Sequence, residues 1–154
     1  MKIVVDSNIV FSAILNTQSR IGQLLIIGSK YFNFYSVALL KEEILQHKEK
    51  ILKITGYNEN QFECAYHSII SHIIFLDDVI IKEESVDRAF QLVKNIDTDD
   101  WPFVALNIEL NSLLWSGDKK LINGLKQLHY KKIITIEELY SEYLEKEYKN
   151  HKKI

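Results

Sequence analysis

Aspartates at the ends of apolar stretches are the residues of this sequence best suited to chemistry. Asp6 directly follows the run KIVV, and Asp118 follows LLWS after one glycine, while Asp97, Asp99 and Asp100 precede the segment WPFVALNIEL. Carboxylates that share a small volume repel one another, and a divalent cation is the usual reason for keeping several together. Mg²⁺ or Mn²⁺ prefers hard oxygen ligands, and two such ions ~4 Å apart can bind a phosphodiester during its hydrolysis.

A further carboxylate comes from VALLKEEILQHKEKILKIT, which we predict to be one amphipathic helix over residues 37–55. At about 100° per residue, its apolar positions cluster on one side. Glu43 lies beside that cluster and Glu42 nearly opposite it, so Glu43 is the candidate ligand and Glu42 a surface residue. His47, four residues after Glu43, shares its side, where we expect it to pack rather than to bind a metal.

The elements that must position these acids are five apolar stretches that alternate with helical segments. Strands that are apolar throughout are typical of a parallel sheet covered by helices on both faces, so we predict an α/β fold. Sites in such sheets lie at the carboxyl ends of the strands. If the first and fourth strands are neighbours, the aspartates converge. The predicted strands are residues 2–5, 32–36, 73–77, 112–116 and 131–136.

Length and composition indicate one ordinary globular domain over residues 1–154, with 47% hydrophobic and 26% charged residues. The single Cys64 cannot form an internal disulfide, and we expect it to be a small buried side chain of a cytoplasmic protein. No apolar run approaches the ~18 residues of a membrane span. The net charge of −2 does not favour nucleic-acid binding by bulk charge, so such binding would need bound metal ions and a local basic patch. We predict a basic, solvated tail over residues 146–154.

Four motifs in a fixed order resemble those of the PIN-domain family of nucleases, over nearly the whole chain. They are VVDSNIVFSAIL, SVALLKEEILQH, DDWPFVALNIEL and LLWSGDKKL. The resemblance implies a three-layer α/β/α sandwich with a five-stranded parallel sheet. It also implies a site that binds Mg²⁺ or Mn²⁺ through four acids, which are Asp6, Glu43, Asp100 and Asp118.

The same resemblance suggests supporting roles for two small polar residues. Asn8 and Ser116 would orient Asp6 and Asp118 by hydrogen bonds, while a water activated by the metal attacks the phosphodiester. Asp6 taken alone would be interpreted as a helix N-cap, and only the other motifs make that the minor interpretation.

Other residues near the motifs admit two interpretations. Asp97 and Asp99 lie close to Asp100, which fits the family's spacing to the following alanine best, so we expect both to be turn or cap residues and weaker candidates for metal ligands. Trp101 could stack on a base, whereas Trp115 lies in a buried strand and belongs to the core.

The function implied by the resemblance is a metal-dependent endoribonuclease, because most small members, including VapC-like toxins, cleave RNA. The expected partners are RNA, a cognate antitoxin and a second copy of the chain, for which the helix LYSEYLEKEY offers a surface. One alternative is a binding module on the same scaffold without catalysis. A haloacid-dehalogenase-like phosphatase is less favoured, because its second aspartate is replaced here by Asn8.

Overall fold

The computed structural model describes residues 1–153, and within them strands and helices alternate as the sequence predicts. The strands are β1 (Lys2–Val5), β2 (Asn33–Val37), β3 (Ile74–Leu76), β4 (Leu113–Trp115) and β5 (Ile133–Ile134). The helices are α1 (Ser7–Leu15), α2 (Arg20–Gly28), α3 (Leu39–Gln46), α4 (Lys48–Thr55), α5 (Glu59–Ile70), α6 (Glu83–Val93), α7 (Trp101–Glu109), α8 (Lys119–Gln127) and α9 (Ile136–Lys152).

The five strands form one parallel sheet in the order β3-β2-β1-β4-β5. The predicted neighbourhood of β1 and β4 is confirmed, with Val5 paired to Trp115. The chain places β2 and β3 on one side of β1 and β4 and β5 on the other. Because the strand order reverses at β1, a crevice opens between the carboxyl ends of β1 and β4.

Helices cover both faces of the sheet, so the predicted α/β/α fold class is confirmed. Helices α1, α2, α5 and α9 pack together, while α6, α7 and α8 form a second group in which α7 contacts β1, β2 and β4. The β1 residues Ile3, Val4 and Val5 have no exposed surface, and neither has Trp115 in β4, which is a core residue as predicted. A strand buried on both faces accounts for the absence of alternation in its sequence.

The segment 37–55 is not the single helix that we predict from its periodicity. Val37 ends β2, and His47 separates α3 from α4 with φ −97° and ψ 11°. The His47 N–H donates to the carbonyl oxygens of both Glu43 and Ile44, each at 3.1 Å, so the end of α3 tightens toward a 3₁₀ turn. The His47 ring also lies edge-on to Phe11 of α1, which fixes the bend.

Two smaller predictions are also wrong. The basic segment is not a tail, because α9 continues to Lys152 and carries an ion pair of 3.0 Å between Lys149 and Glu145. Residue 154 of the predicted tail lies outside the described residues. Cys64 is exposed on α5 rather than buried. None of the helices within residues 1–153 is long and apolar enough to cross a membrane.

Candidate metal centre

Asp6 extends β1 into the crevice and is fully buried. Its N–H donates to the carbonyl oxygen of Trp115 at 2.9 Å, which continues the pairing of β1 with β4 by one residue. Its Oδ1 accepts a hydrogen bond of 2.8 Å from the N–H of Ser7, and Asp6 is the N-cap of α1. The helix-cap interpretation is therefore correct for one carboxylate oxygen, and it does not exclude a role for the other.

The second oxygen of Asp6 is held by Ser116 and Asn8. Ser116 Oγ donates to Asp6 Oδ2 at 2.6 Å, and Asn8 Nδ2 donates to the same atom at 3.3 Å. Ser116 Oγ in turn accepts from the N–H of Asp118 at 3.0 Å, and Asn8 Oδ1 accepts from the N–H of Gly117 at 3.0 Å. These contacts join the turn after β1 to the turn after β4, while the orienting role that the resemblance implies for these two polar residues stays a prediction.

Asp118 begins α8 in the same way that Asp6 begins α1. Its Oδ1 accepts from the N–H groups of Lys120 and Leu121 at 3.0 and 3.2 Å, so this oxygen caps the helix. A carboxylate at a helix N-terminus is also stabilised by the helix dipole.

Three carboxylates converge beside this turn. Asp97, Asp100 and Asp118 each offer one oxygen atom, and these atoms lie within 4.8 Å of one another. Asp97 precedes, and Asp100 ends, the 3₁₀ turn Thr98–Asp100. Side chains three residues apart on such a turn lie over one another, whereas Asp99 is exposed and outside the group.

Asp97 is therefore a stronger candidate for a metal ligand than we predict from the sequence. It does cap the turn, since it accepts from the N–H of Asp99 at 3.0 Å, but it also belongs to the carboxylate group. The signal available in the sequence was the spacing of three between Asp97 and Asp100. This spacing brings the two side chains together only because residues 98–100 form a 3₁₀ turn, which the sequence did not predict.

The environment of Asp100 opposes its ionised form. Burial, and then the charges of Asp6, Asp97, Asp118 and Asp99, raise the pKa of Asp100 to about 7. Its Oδ2 is buried and has no hydrogen-bond partner among the described residues. Burial also raises the pKa of Asp6, while the hydrogen bonds from Ser116 and Ser7 oppose this effect.

This set of donors fits a hard divalent cation. It offers carboxylate oxygens from separate elements, and one of them is a buried acceptor without a donor. In the part of the chain that the structure describes, no lysine, arginine or histidine forms an ion pair with these aspartates. A cation of charge two would offset most of the negative charge of the group and supply the missing partner of Asp100.

Glu43 is not brought into the group of three carboxylates. It lies on α3 and is partly buried, while its neighbour Glu42 is exposed. This difference agrees with the side of the helix on which we predict each residue to lie. Glu42 instead lines a cavity with Trp101 and Pro102. One face of the Trp101 indole stacks on Phe90, with centroids 5.1 Å apart.

Comparisons with known proteins agree with this fold. The family model described as PIN domain matches residues 4–141, and the chain therefore belongs to the PIN-domain family. No curated protein matches the chain. A similar solved structure is the crystal structure of VapBC2 from Rickettsia felis bound to a DNA fragment from their promoter. It shares 14% identity and a TM-score of 0.63 with this chain, over 88% of this chain and 98% of the other.

Proposed function

We propose that the protein is a metal-dependent endoribonuclease that hydrolyses phosphodiester bonds of RNA. The observation that carries this proposal is the convergence of carboxylate oxygens from Asp97, Asp100 and Asp118 around a buried acceptor without a donor. Membership of a family of nucleases supports it. With RNA as its substrate, we expect the protein to act in the cytoplasm.

We propose that Asp100, Asp118 and Asp97 hold one or two Mg²⁺ or Mn²⁺ ions, with Asp6 and Glu43 as further acids of the site. A bound ion of this kind supplies a Lewis acid that neutralises the phosphodiester and lowers the pKa of a water molecule. Asp6 contributes negative charge at the floor of the crevice, which is one of the causes of the raised pKa of Asp100.

Ser116 and Asn8 are proposed as positioning residues. Each contacts Asp6, and each also contacts the turn that presents Asp118. By holding the two turns at fixed separation, they keep the carboxylates together against their mutual repulsion. Neither is needed as a nucleophile, because water is the attacking group in the reaction that we propose.

The test is cleavage of a single-stranded RNA by the full chain with Mg²⁺ or Mn²⁺, with EDTA, and with the variants Asp6→Asn and Asp118→Asn. We expect metal-dependent cleavage that both variants lose. Cleavage that survives EDTA and both substitutions would rule out the metal mechanism. Absence of any cleavage, with RNA still bound, would favour the binding module without catalysis. Hydrolysis of small phosphomonoesters without cleavage of RNA would favour the phosphatase, which Asn8 disfavours because its amide is occupied by Asp6 and Gly117.

We further propose that the protein is the toxin of a toxin–antitoxin pair. The support is the similar chain from a VapBC2 complex, whose fold this chain shares. Co-expression with the product of a small neighbouring reading frame should yield a stable complex in which cleavage of RNA is inhibited. A neighbouring product that neither binds nor inhibits would contradict this role and leave the ribonuclease proposal intact. A homodimer through α9 is a separate expectation, which sedimentation of the purified chain can test.

A further inference from the structure

A groove with both polar and apolar lining lies between the end of α6 and one face of α8, near the carboxylates. We name it the α6–α8 groove, and its volume is about 520 Å³. Its polar lining consists of two lysines and four amide side chains, which are Gln91, Lys94, Asn95, Lys120, Asn123 and Gln127. A volume of this order is that of a pocket for a small organic group, such as one nucleotide.

Two residues that line the groove are neighbours of the carboxylates. Ile96 lines the groove and is followed at once by Asp97. On the other wall, the N–H of Lys120 donates to Asp118 Oδ1 at 3.0 Å. The groove therefore lies next to the carboxylate group, and no carboxylate is among the described residues that line it.

The charged residues that line the α6–α8 groove are opposite in sign to those that line a second cavity. The described residues that line the α6–α8 groove include lysines but no acid. A second cavity, of about 240 Å³, is lined by Glu42, Asp77 and Asp78 with Trp101. A polyanionic strand is attracted to the groove and repelled from this cavity, because charges of one sign in a concave surface reinforce one another.

The two lysines at the start of α8 lie where a helix ordinarily favours acidic residues. Lys119 and Lys120 occupy the first turn of α8, which contains no acidic residue. Cations are disfavoured at a helix N-terminus by the helix dipole. Local rules tend to be broken at functional sites. Of the two lysines, Lys120 lines the groove.

We propose that the α6–α8 groove binds the substrate strand next to the phosphate that is cleaved, a proposal that rests on the ribonuclease function. Lys94 and Lys120 contact phosphates of single-stranded RNA. The amides of Asn95, Asn123 and Gln127 donate to and accept from the exposed edges of its bases, which single strands present to proteins. The groove would thus supply the local positive charge that a chain of net charge −2 lacks overall.

The test measures binding of a short, labelled, single-stranded RNA to full-length protein that carries Asp118→Asn, at several salt concentrations. The groove variant is Lys94→Ala with Lys120→Ala, and the control is Lys53→Ala with Lys126→Ala. The control makes the same change of charge, and its Lys126 lies on α8 but outside the groove. All four lysines are exposed, so we expect each variant to fold, which thermal melting checks.

We expect the groove variant to bind RNA about tenfold more weakly at low salt, with a control effect under about twofold. The slope of log affinity against log salt should fall by about 1.4, since each phosphate neutralised on a single strand adds about 0.7. In the active protein, Asn123→Ala with Gln127→Ala should alter the preferred cleavage sequence. Equal affinities and slopes for the groove and control variants would overturn the proposal.

The two proposals fail in distinguishable ways. If wild-type protein cleaves RNA and the groove variant matches the control in binding and in KM, the groove assignment fails and the ribonuclease stands. If wild-type protein cleaves no RNA, while binding depends on Lys94 and Lys120, the ribonuclease fails and the groove remains a site for RNA.

Discussion

Asp100 is the residue whose state should respond most to pH and to metal. It is partly buried, it lacks a hydrogen-bond donor at Oδ2, and its pKa is raised to about 7 first by burial and then by neighbouring carboxylates. A carboxylate in this position destabilises the folded chain whenever it is ionised, unless a cation is present. The site is thus built at the expense of stability, as functional sites often are.

We expect the metal-free protein to lose stability as pH rises from about 4 to about 7. The acid's pKa is higher in the folded than in the unfolded chain, so the folded state binds more protons between these values and the free energy of unfolding falls. Asp100→Asn should remove this loss. Thermal melting in EDTA across this range checks the sign, and added Mn²⁺ should restore the wild type above pH 7. A melting temperature that rises with pH equally in both proteins would contradict this account of Asp100.

Ser116→Ala should lower RNA cleavage by about 10- to 100-fold, the effect usual for a group that orients a metal ligand. Its hydroxyl contacts both Asp6 Oδ2 and the N–H of Asp118, so its removal frees the Asp6 carboxylate and loosens the turn that presents Asp118. Ser116→Thr keeps the hydroxyl and should retain most activity. Cleavage rates with matched melting temperatures separate the two, and equal losses in both variants would indicate a packing effect only.

Glu43 and Glu42 form a matched pair for testing whether an acid of α3 belongs to the site. Glu43→Gln should weaken cleavage by about tenfold or more if it joins the site when substrate and metal are bound, because a carboxylate ligand is lost. Glu42→Gln, an exposed neighbour on the same helix, should have little effect. Steady-state rates of the two variants decide the matter. A larger effect at Glu42 would move the fourth position toward the acidic cavity that this residue lines.

At the scale of elements, the packing of Ile96 against α8 helps to position the segment that carries Asp97. A Cβ atom on Gly124 would lie 2.5 Å from Cδ1 and 2.7 Å from Cγ1 of Ile96, so Ile96 packs directly on the backbone of α8. Ile96 is followed by Asp97. This packing sets the distance between the 3₁₀ turn and the helix that Asp118 begins.

Gly124→Ala should therefore destabilise the protein by about 1 kcal/mol. The higher helix propensity of alanine contributes up to ~1 kcal/mol in its favour, while overpacking costs about 1–3 kcal/mol. Denaturant unfolding of Gly124→Ala, Ile96→Ala and the double variant measures the coupling. In the background of Ile96→Ala, we expect Gly124→Ala to be neutral or stabilising. Additive effects of the two substitutions on the free energy of unfolding would show that the alanine at position 124 is not overpacked against Ile96.

The strands and the crevice between β1 and β4 could be predicted from apolar runs and their order, because a parallel sheet leaves a strong signal in sequence. The bend at His47 could not. The segment lacks glycine and proline, and the bend depends on a hydrogen-bonding pattern and on Phe11 from another helix. The helical state of residues 149–152 was missed because charge alone predicts solvation and not conformation.

At the scale of the whole molecule, the parallel order of strands brings together acids from positions 6, 97, 100 and 118. The sequence predicts this meeting because strand ends share one edge of the sheet. The sequence could not show that Asp97 is a stronger candidate ligand than Asp99, because this depends on the geometry of the 3₁₀ turn. Nor could it show where Glu43 lies, because this depends on where α3 begins. The α6–α8 groove could not be predicted either, because its walls come from two helices that are separated by 25 residues in the sequence.

The measurement that tests the central claim most directly is Mn²⁺ binding by calorimetric titration at pH 8, where Asp100 is ionised. We predict binding to the wild-type chain and affinity at least about tenfold lower for Asp100→Asn, with Glu42→Gln unchanged. Affinities that are the same for wild type and Asp100→Asn, or no binding at all, would contradict the account of these carboxylates as a metal centre.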